Sequence, residues 1–212
     1  MKLEPNQVYH VFNRGNNRQQ IFFEKDNYYY FLKKVKRYLV PNCDILAFCL
    51  MPTHFHFLIH TNKNSIKPHK RSKQPLSNRT GRPPKRLTHF SWGLQQLLSS
   101  YAKGINKRYN RTGSIFQQNT KSKKTSSETF LDDYSAWCFI YIHNNPKTAG
   151  FVNSPEEYEF TSYKDYLDNN MNSICNLALA KDLLFFEQNE LIEFKHVEVP
   201  DNIISKINNN QI

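Results

Sequence analysis

The chain has 212 residues, enough for one domain with a substantial core and with no obvious linker between two halves. Its net charge of +11 is split unevenly. Residues 1–130 carry 24 basic and 5 acidic side chains against 5 and 13 in 131–212, so the first part offers a strong field for a polyanion. With aromatics at 14%, nucleic acid fits that field better than a membrane surface.

Other classes fall away on similar grounds. The longest apolar run, Ile45 to Met51, is far too short to span a bilayer, and there is no basic amphipathic helix with a wide apolar face. Cys43, Cys49, Cys138 and Cys175 show no C-x-x-C pairing, which argues against a structural zinc site. Scattered cysteines and the absence of an apolar N-terminal stretch lead us to expect a reducing, cytoplasmic setting.

In chain order, Val8 to Asn13 alternates as a first strand and is broken by Arg14-Gly15-Asn16-Asn17-Arg18. Asp26 is a plausible N-cap for a helix running to about Leu39, before Pro41-Asn42. Asp44 to Leu50 reads as a buried strand that Met51-Pro52-Thr53 turns into a second, His54 to His60, so the two should pair as a hairpin. Side chains alternate across a strand. His54 and His56 should therefore share one face with Leu58 and His60, while Phe55, Phe57 and Ile59 fill the other. Two imidazoles so spaced can close on one metal ion, although they could also simply line the open face of a half-covered sheet.

Residues 62–86 hold nine Lys/Arg, no acidic residue and almost nothing apolar. They predict a solvated loop without fixed structure that could clamp DNA phosphates. Leu87 to Tyr109 is the clearest helix, with Leu94, Leu97, Leu98, Tyr101 and Ile105 on one stripe. A short strand is expected over Ser114 to Gln117 and a basic loop over Lys121 to Lys124. A last core helix should run from about Ser127 to Asn145, where Pro146 disfavours its continuation.

The order β-α-β-β-α-β-α is compatible with an α+β, ferredoxin-like split βαβ antiparallel sheet, with helices on one face and the histidine strand near the centre. That unit should occupy residues 1–166. The acidic, Asn-rich extension 167–212, with its apolar stretch Leu177 to Phe186, should pack outside it or reach a partner. At the end of the last helix, Tyr141 and Asn145 are four apart and hence on one face, with His143 pointing elsewhere. Most tyrosines on helices are core or interface filler, so the spacing alone is only suggestive.

Four blocks in order resemble the single-tyrosine HUH transposases of insertion-sequence type, most of all their REP-associated relatives. They are Tyr9-His10-Val11-Phe12-Asn13-Arg14-Gly15-Asn16-Asn17, Met51-Pro52-Thr53-His54-Phe55-His56-Phe57-Leu58-Ile59, Tyr109-Asn110-Arg111-Thr112-Gly113-Ser114-Ile115-Phe116-Gln117, and Tyr141-Ile142-His143-Asn144-Asn145-Pro146 continuing to Val152, with Thr161-Ser162-Tyr163 beyond. Such proteins often continue after the third block with Gly-Arg, whereas this chain has Gln118-Asn119.

The resemblance implies an enzyme that cuts and rejoins single-stranded or hairpin DNA. It implies His54 and His56 as metal ligands, Asn145 as the polar residue completing the site, and Tyr141 as nucleophile. The cofactor would be Mg²⁺ or Mn²⁺, and two imidazoles lean toward Mn²⁺. Arg14, Asn16, Lys107, Arg108 and Arg111 are the expected DNA contacts. Whether the chain works as a monomer or a homodimer, with Tyr141 acting in its own subunit or a partner's, is left open. A relaxase or replication-initiator nickase is the rival reading, disfavoured by a short chain with no helicase region. A DNA-binding module with a decayed site is the other, against which the intact His54, His56 and Tyr141 speak.

Overall fold

The computed structural model describes residues 2–70, 87–125 and 134–208. Three long strands, β1 (Val8–Arg14), β2 (Asp44–Met51) and β3 (His54–His60), are joined by α1 (Lys25–Tyr38) between β1 and β2 and by a tight turn between β2 and β3. After α2 (His89–Arg108), a fourth strand, β4 (Lys121–Lys124), completes an antiparallel sheet in the order β2-β3-β1-β4. This is the split βαβ arrangement, since β3 inserts between the two strands that α1 connects.

The apolar residues of β3 explain why it sits in the middle. Phe55, Phe57 and Ile59 are fully buried on one face, where Phe31 of α1 lies 5.4 Å from Phe55 and α2 packs behind it. Tyr101 of α2 meets Phe31 at 5.0 Å, and its hydroxyl donates to the Ile21 carbonyl at 2.6 Å. That tyrosine is core, as its place on the apolar stripe predicts. Helices on a single face describe α1 and α2 only. A third helix, α3 (Tyr134–Thr148), lies across the opposite, histidine-bearing face against β2, β3 and β1.

The two helices α1 and α2 approach tightly at Gly93, where an added Cβ would stand 2.2 Å from the Tyr38 carbonyl oxygen. A backbone oxygen cannot swing aside. Overpacking of this kind costs ~1–3 kcal/mol, here toward the upper end because backbone must move, and the better helix propensity of Ala returns ~1 kcal/mol, so Gly93→Ala should lose roughly 2 kcal/mol. The check is the urea midpoint, which should fall; an unchanged or raised midpoint would show that the helices separate without cost.

Two sequence expectations are corrected here. The fourth strand is not Ser114 to Gln117: Phe116 makes only an isolated bridge to Gly15, and the strand is the stretch expected to be a basic loop, Lys121–Lys124. Ile115 and Phe116 are buried as core filler, and the Asn13 side chain then donates to the Gln117 carbonyl at 3.2 Å and to Thr120 Oγ1 at 2.8 Å. Those bonds hold the turn that feeds the chain back along Tyr9 to Phe12. Pairing outweighs the poor strand propensity of Lys-Ser-Lys-Lys, and charge suits an edge strand.

Nor does α3 stop at Pro146. It continues to Thr148 and ends in a Schellman motif: Gly150, at φ 74°, donates to the Lys147 carbonyl and Phe151 to the Pro146 carbonyl, both at 2.9 Å. Asn145 is therefore inside the helix, one full turn beyond Tyr141.

Residues 62–70 are ordered against the start of α2, unlike the loop expected there. Ser65 is buried and His69 stacks on Trp92 with ring centroids 4.0 Å apart. The rest of that basic stretch, 71–86, lies outside the described residues. Beyond α3, the backbone of 160–162 and of 175–176 bonds to the outer edge of β2, closing it to further strands. Two further helices, α4 (Tyr163–Leu167) and α5 (Leu177–Leu184), bury Tyr163, Tyr166, Leu177, Ala180 and Leu184 in the same core as the sheet. The chain then forms α6 (Leu191–Phe194) and α7 (Asp201–Asn208), and α7 packs on α3.

Candidate active site

Strand register assembles the site. Phe12 of β1 pairs with His56, and Arg14 pairs with His54, so Arg14, Phe12 and His10 share the face of the two histidines. On the other flank Lys121 pairs with Phe12 and Lys123 with His10, bringing two cations of β4 to that face. The helix α3 roofs it, with the Tyr141 ring 5.7 Å from His56 and nearly perpendicular to it, and 6.4 Å from His10.

Within this group His54 and His56 stand 5.0 Å apart, centroid to centroid, at 90°. Nδ1 of His54 lies 2.9 Å from Thr53 Oγ1, and the Asn145 side chain is near enough to the ring to favour its protonated form. His56 Nδ1 shares a 2.8 Å hydrogen bond with His10 Nε2, while His56 Nε2 is buried and has no hydrogen-bond partner among the described residues. The structure thus brings together His54, His56, Tyr141 and Asn145. His143 turns away, as its spacing predicts, with Nε2 2.7 Å from Ser162 Oγ.

Burial keeps these imidazoles neutral. It lowers His54 to about 4, helped by the Arg14 guanidinium and opposed by the nearby Asn145 side chain. It also pushes His56 well below its ordinary value, with His54 and His10 adding to the effect. His10 falls to about 3 through burial and the nearby Lys123, and His143 to about 3 through burial alone. Neutral imidazoles keep a lone pair for a cation. Among the described residues no three His, Cys, Asp or Glu side chains form a closed metal cage. Two imidazoles plus an amide oxygen, with one buried nitrogen unpaired, suit an open site that leaves positions for substrate oxygens.

No protein-family model matches this chain, and no curated protein matches it in sequence. Among solved structures, a REP-associated tyrosine transposase bound to a REP hairpin is similar, with a TM-score of 0.53 at 13% identity over 82% of this chain and 87% of that one. The two chains share a fold. A bacterial tRNA(His) guanylyltransferase-like protein in complex with ATP also matches, at a TM-score of 0.41 and 13% identity over 89% of this chain and 75% of that one, too low to carry an argument.

In this fold a small pocket beside the histidines is lined by Phe12, Arg14, His54, His56, Asn119 and Lys121, among others. Lys121 places a cation there, close to Asn119 of the Gln118-Asn119 pair. Tyr141 and Asn145 also face a larger groove shared with Lys147 and residues 195–204. Of the expected DNA contacts, Arg14 joins the site. Asn16 donates to the Ser114 carbonyl at 3.2 Å, tying down the end of β1. Arg108 forms ion pairs with Glu24 at 2.7 Å and Asp26 at 3.3 Å. Arg111 donates to Gln19 Oε1 at 2.6 Å and lies over Phe23, and Lys107 is exposed at the end of α2.

Sequence reasoning did not nominate His10, Lys121 or Lys123. Once β1 is a strand, His10 shares the parity of Phe12 and Arg14, but which face that is depends on the register with β3. The lysines needed β4, which propensity hides.

Acid should unfold this core through its histidines. The folded-state values of His10, His54 and His143 lie below the ordinary 6.5, so below that pH the unfolded chain binds more protons. Their contribution is complete above about pH 6.5 and is lost as pH falls toward 4 and 3, at ~1.4 kcal/mol per pH unit per group. Urea midpoints between pH 7.5 and 5 should therefore drop steeply. A flat profile over that window would contradict the buried, neutral state of these rings.

Proposed function

We propose that this protein is a transposase-type enzyme that cuts and rejoins single-stranded or hairpin DNA through a covalent link to Tyr141. The observation that carries the reading is the convergence of Tyr141 on the histidine pair from a different element, its ring 5.7 Å from His56, with Asn145 one turn later beside His54. The shared fold with a transposase solved on a hairpin supports DNA as the substrate. The positive charge of residues 1–130 supports it independently.

In the proposed reaction the Tyr141 Oη attacks phosphorus and forms a P–O bond as the P–O3′ bond breaks. The phenol gives up its proton and the departing 3′-oxygen gains one. The products are a 5′-phosphotyrosine and a free 3′-hydroxyl, and the conserved bond energy lets a second 3′-hydroxyl reverse the step without ATP. A divalent cation held by His54, His56 and Asn145 would supply electrophilic stabilisation of the non-bridging phosphate oxygens. Arg14 and Lys121, in the same pocket, neutralise and orient the phosphate. Covering by α3 keeps the tyrosine in a fixed place over the strand face, which is the positioning such an attack needs.

Incubating the protein with end-labelled hairpin DNA and Mn²⁺, followed by denaturing electrophoresis, tests this reading. A labelled band at the mass of protein plus DNA is expected. Binding without any such band would favour a DNA-binding module over an enzyme.

A further inference from the structure

We propose that His10 is a positioning residue for this site: its Nε2 accepts a hydrogen bond from the Nδ1–H of His56, holding His56 in the tautomer whose Nε2 lone pair faces a cation. The inference rests on the metal-dependent reading above and adds to it the residue that makes His56 a competent ligand.

Geometry argues for it in three ways. The strand register puts His10 and His56 diagonally across β1 and β3 on one face, and the rings stack at 5.0 Å with 15° between their planes, so the 2.8 Å bond is fixed by two paired strands rather than by a loop. Phe12, stacked on His10 at 4.7 Å, closes that ring from another side. Both histidines are buried, so no water competes for the bond.

The proton in that bond has two places to be. If His10 donates, His56 carries its proton on Nε2, and a buried N–H points at the site where a cation belongs. If His56 donates, the proton sits on Nδ1 and Nε2 is left as a bare lone pair. His56 Nε2 and His10 Nδ1 are both buried without a hydrogen-bond partner among the described residues, so either arrangement leaves one N–H bare; with His56 as donor that N–H is on His10 and the ligand atom is free for a cation. An acceptor behind a ligating imidazole fixes its tautomer and orientation and raises its basicity. That acceptor is usually a carboxylate or a carbonyl, and here a second imidazole fills the place.

Long-range ¹H–¹⁵N correlation on the metal-free wild type reads the tautomer directly. The His56 proton is expected on Nδ1, and finding it on Nε2 overturns the proposal. Mn²⁺ titration of the same protein and of variants gives the second reading. His10→Phe, which keeps a flat ring but removes the acceptor, should weaken Mn²⁺ binding about 10–100-fold, and His10→Gln, whose amide oxygen can accept, should recover much of the loss. If His54→Ala abolishes Mn²⁺ binding while His10→Phe leaves it unchanged, this inference fails and the metal site stands. If His54→Ala also leaves Mn²⁺ binding unchanged, the metal-dependent reading fails and this inference with it. Near-UV circular dichroism of each variant distinguishes lost positioning from lost fold.

Discussion

Tyr141→Phe is expected to abolish the covalent protein–DNA adduct entirely while leaving hairpin binding within a few-fold of wild type. The substitution removes one hydroxyl. The ring, which packs partly buried against the core and edge-on to His56 and His10, is kept, so the site should hold its shape. Affinity for DNA comes chiefly from phosphate contacts made by cations, and none of these is altered. Two other tyrosines near basic residues are poor rivals. Tyr101 is fully buried under α1 with its hydroxyl bonded to the Ile21 carbonyl, and Tyr109 gives its hydroxyl to Glu24 and Asn27 on the other side of the sheet from the histidines. Measured side by side, adduct formation and hairpin affinity should separate in this variant. Retention of the adduct would remove Tyr141 from the chemistry.

His54→Ala and His56→Ala should each cut metal-stimulated cleavage by about 10²–10³-fold, the scale of lost electrostatic stabilisation in enzymes. The two differ in their structural consequences. His54, at the start of β3, is less buried than His56, so its removal should cost less stability than that of His56. His56 is buried and bonded to His10, so truncating it leaves a polar orphan and a void, and should cost roughly 2–4 kcal/mol of stability. His56→Gln, which keeps a polar group of similar size, is the better probe of chemistry. Cleavage at the wild-type rate in excess EDTA, or in His54→Ala with added Mn²⁺, would contradict the metal assignment.

Much of the architecture was legible because hydrophobic period and turn chemistry agreed with it. The run from Phe55 to Ile59, the Met51-Pro52-Thr53 turn and the stripe from Leu94 to Ile105 each state their element and its buried face without help from the rest of the chain. What stayed hidden was whatever tertiary pairing imposed. Lys121–Lys124 has no propensity for a strand and becomes one because Asn13 holds the preceding turn against β1. Pro146 reads as a stop, yet the helix end is set by Gly150, whose left-handed backbone closes the Schellman motif. That signal, a glycine just past a helical run, was present in Ala149-Gly150.

The site divides along the same line. Residues close in sequence, His54 with His56 and Tyr141 with Asn145, could be paired from strand and helix periods alone. Bringing the two pairs together needs α3 laid over the sheet, and no local pattern encodes that. Nor does any pattern encode His10 behind His56, because a strand's inward face is defined only once its neighbour's register is known.

The most direct test of the central claim is to trap the protein on labelled hairpin DNA in Mn²⁺, digest the adduct with protease and nuclease, and sequence the nucleotide-bearing peptide by mass spectrometry. The account predicts a single modified peptide spanning the end of α3, with the phosphate on the Tyr141 oxygen and the 5′ end of the DNA attached to it. A phosphotyrosyl link at Tyr101, Tyr109 or any residue other than Tyr141, or a link through the 3′ end of the DNA, would contradict it.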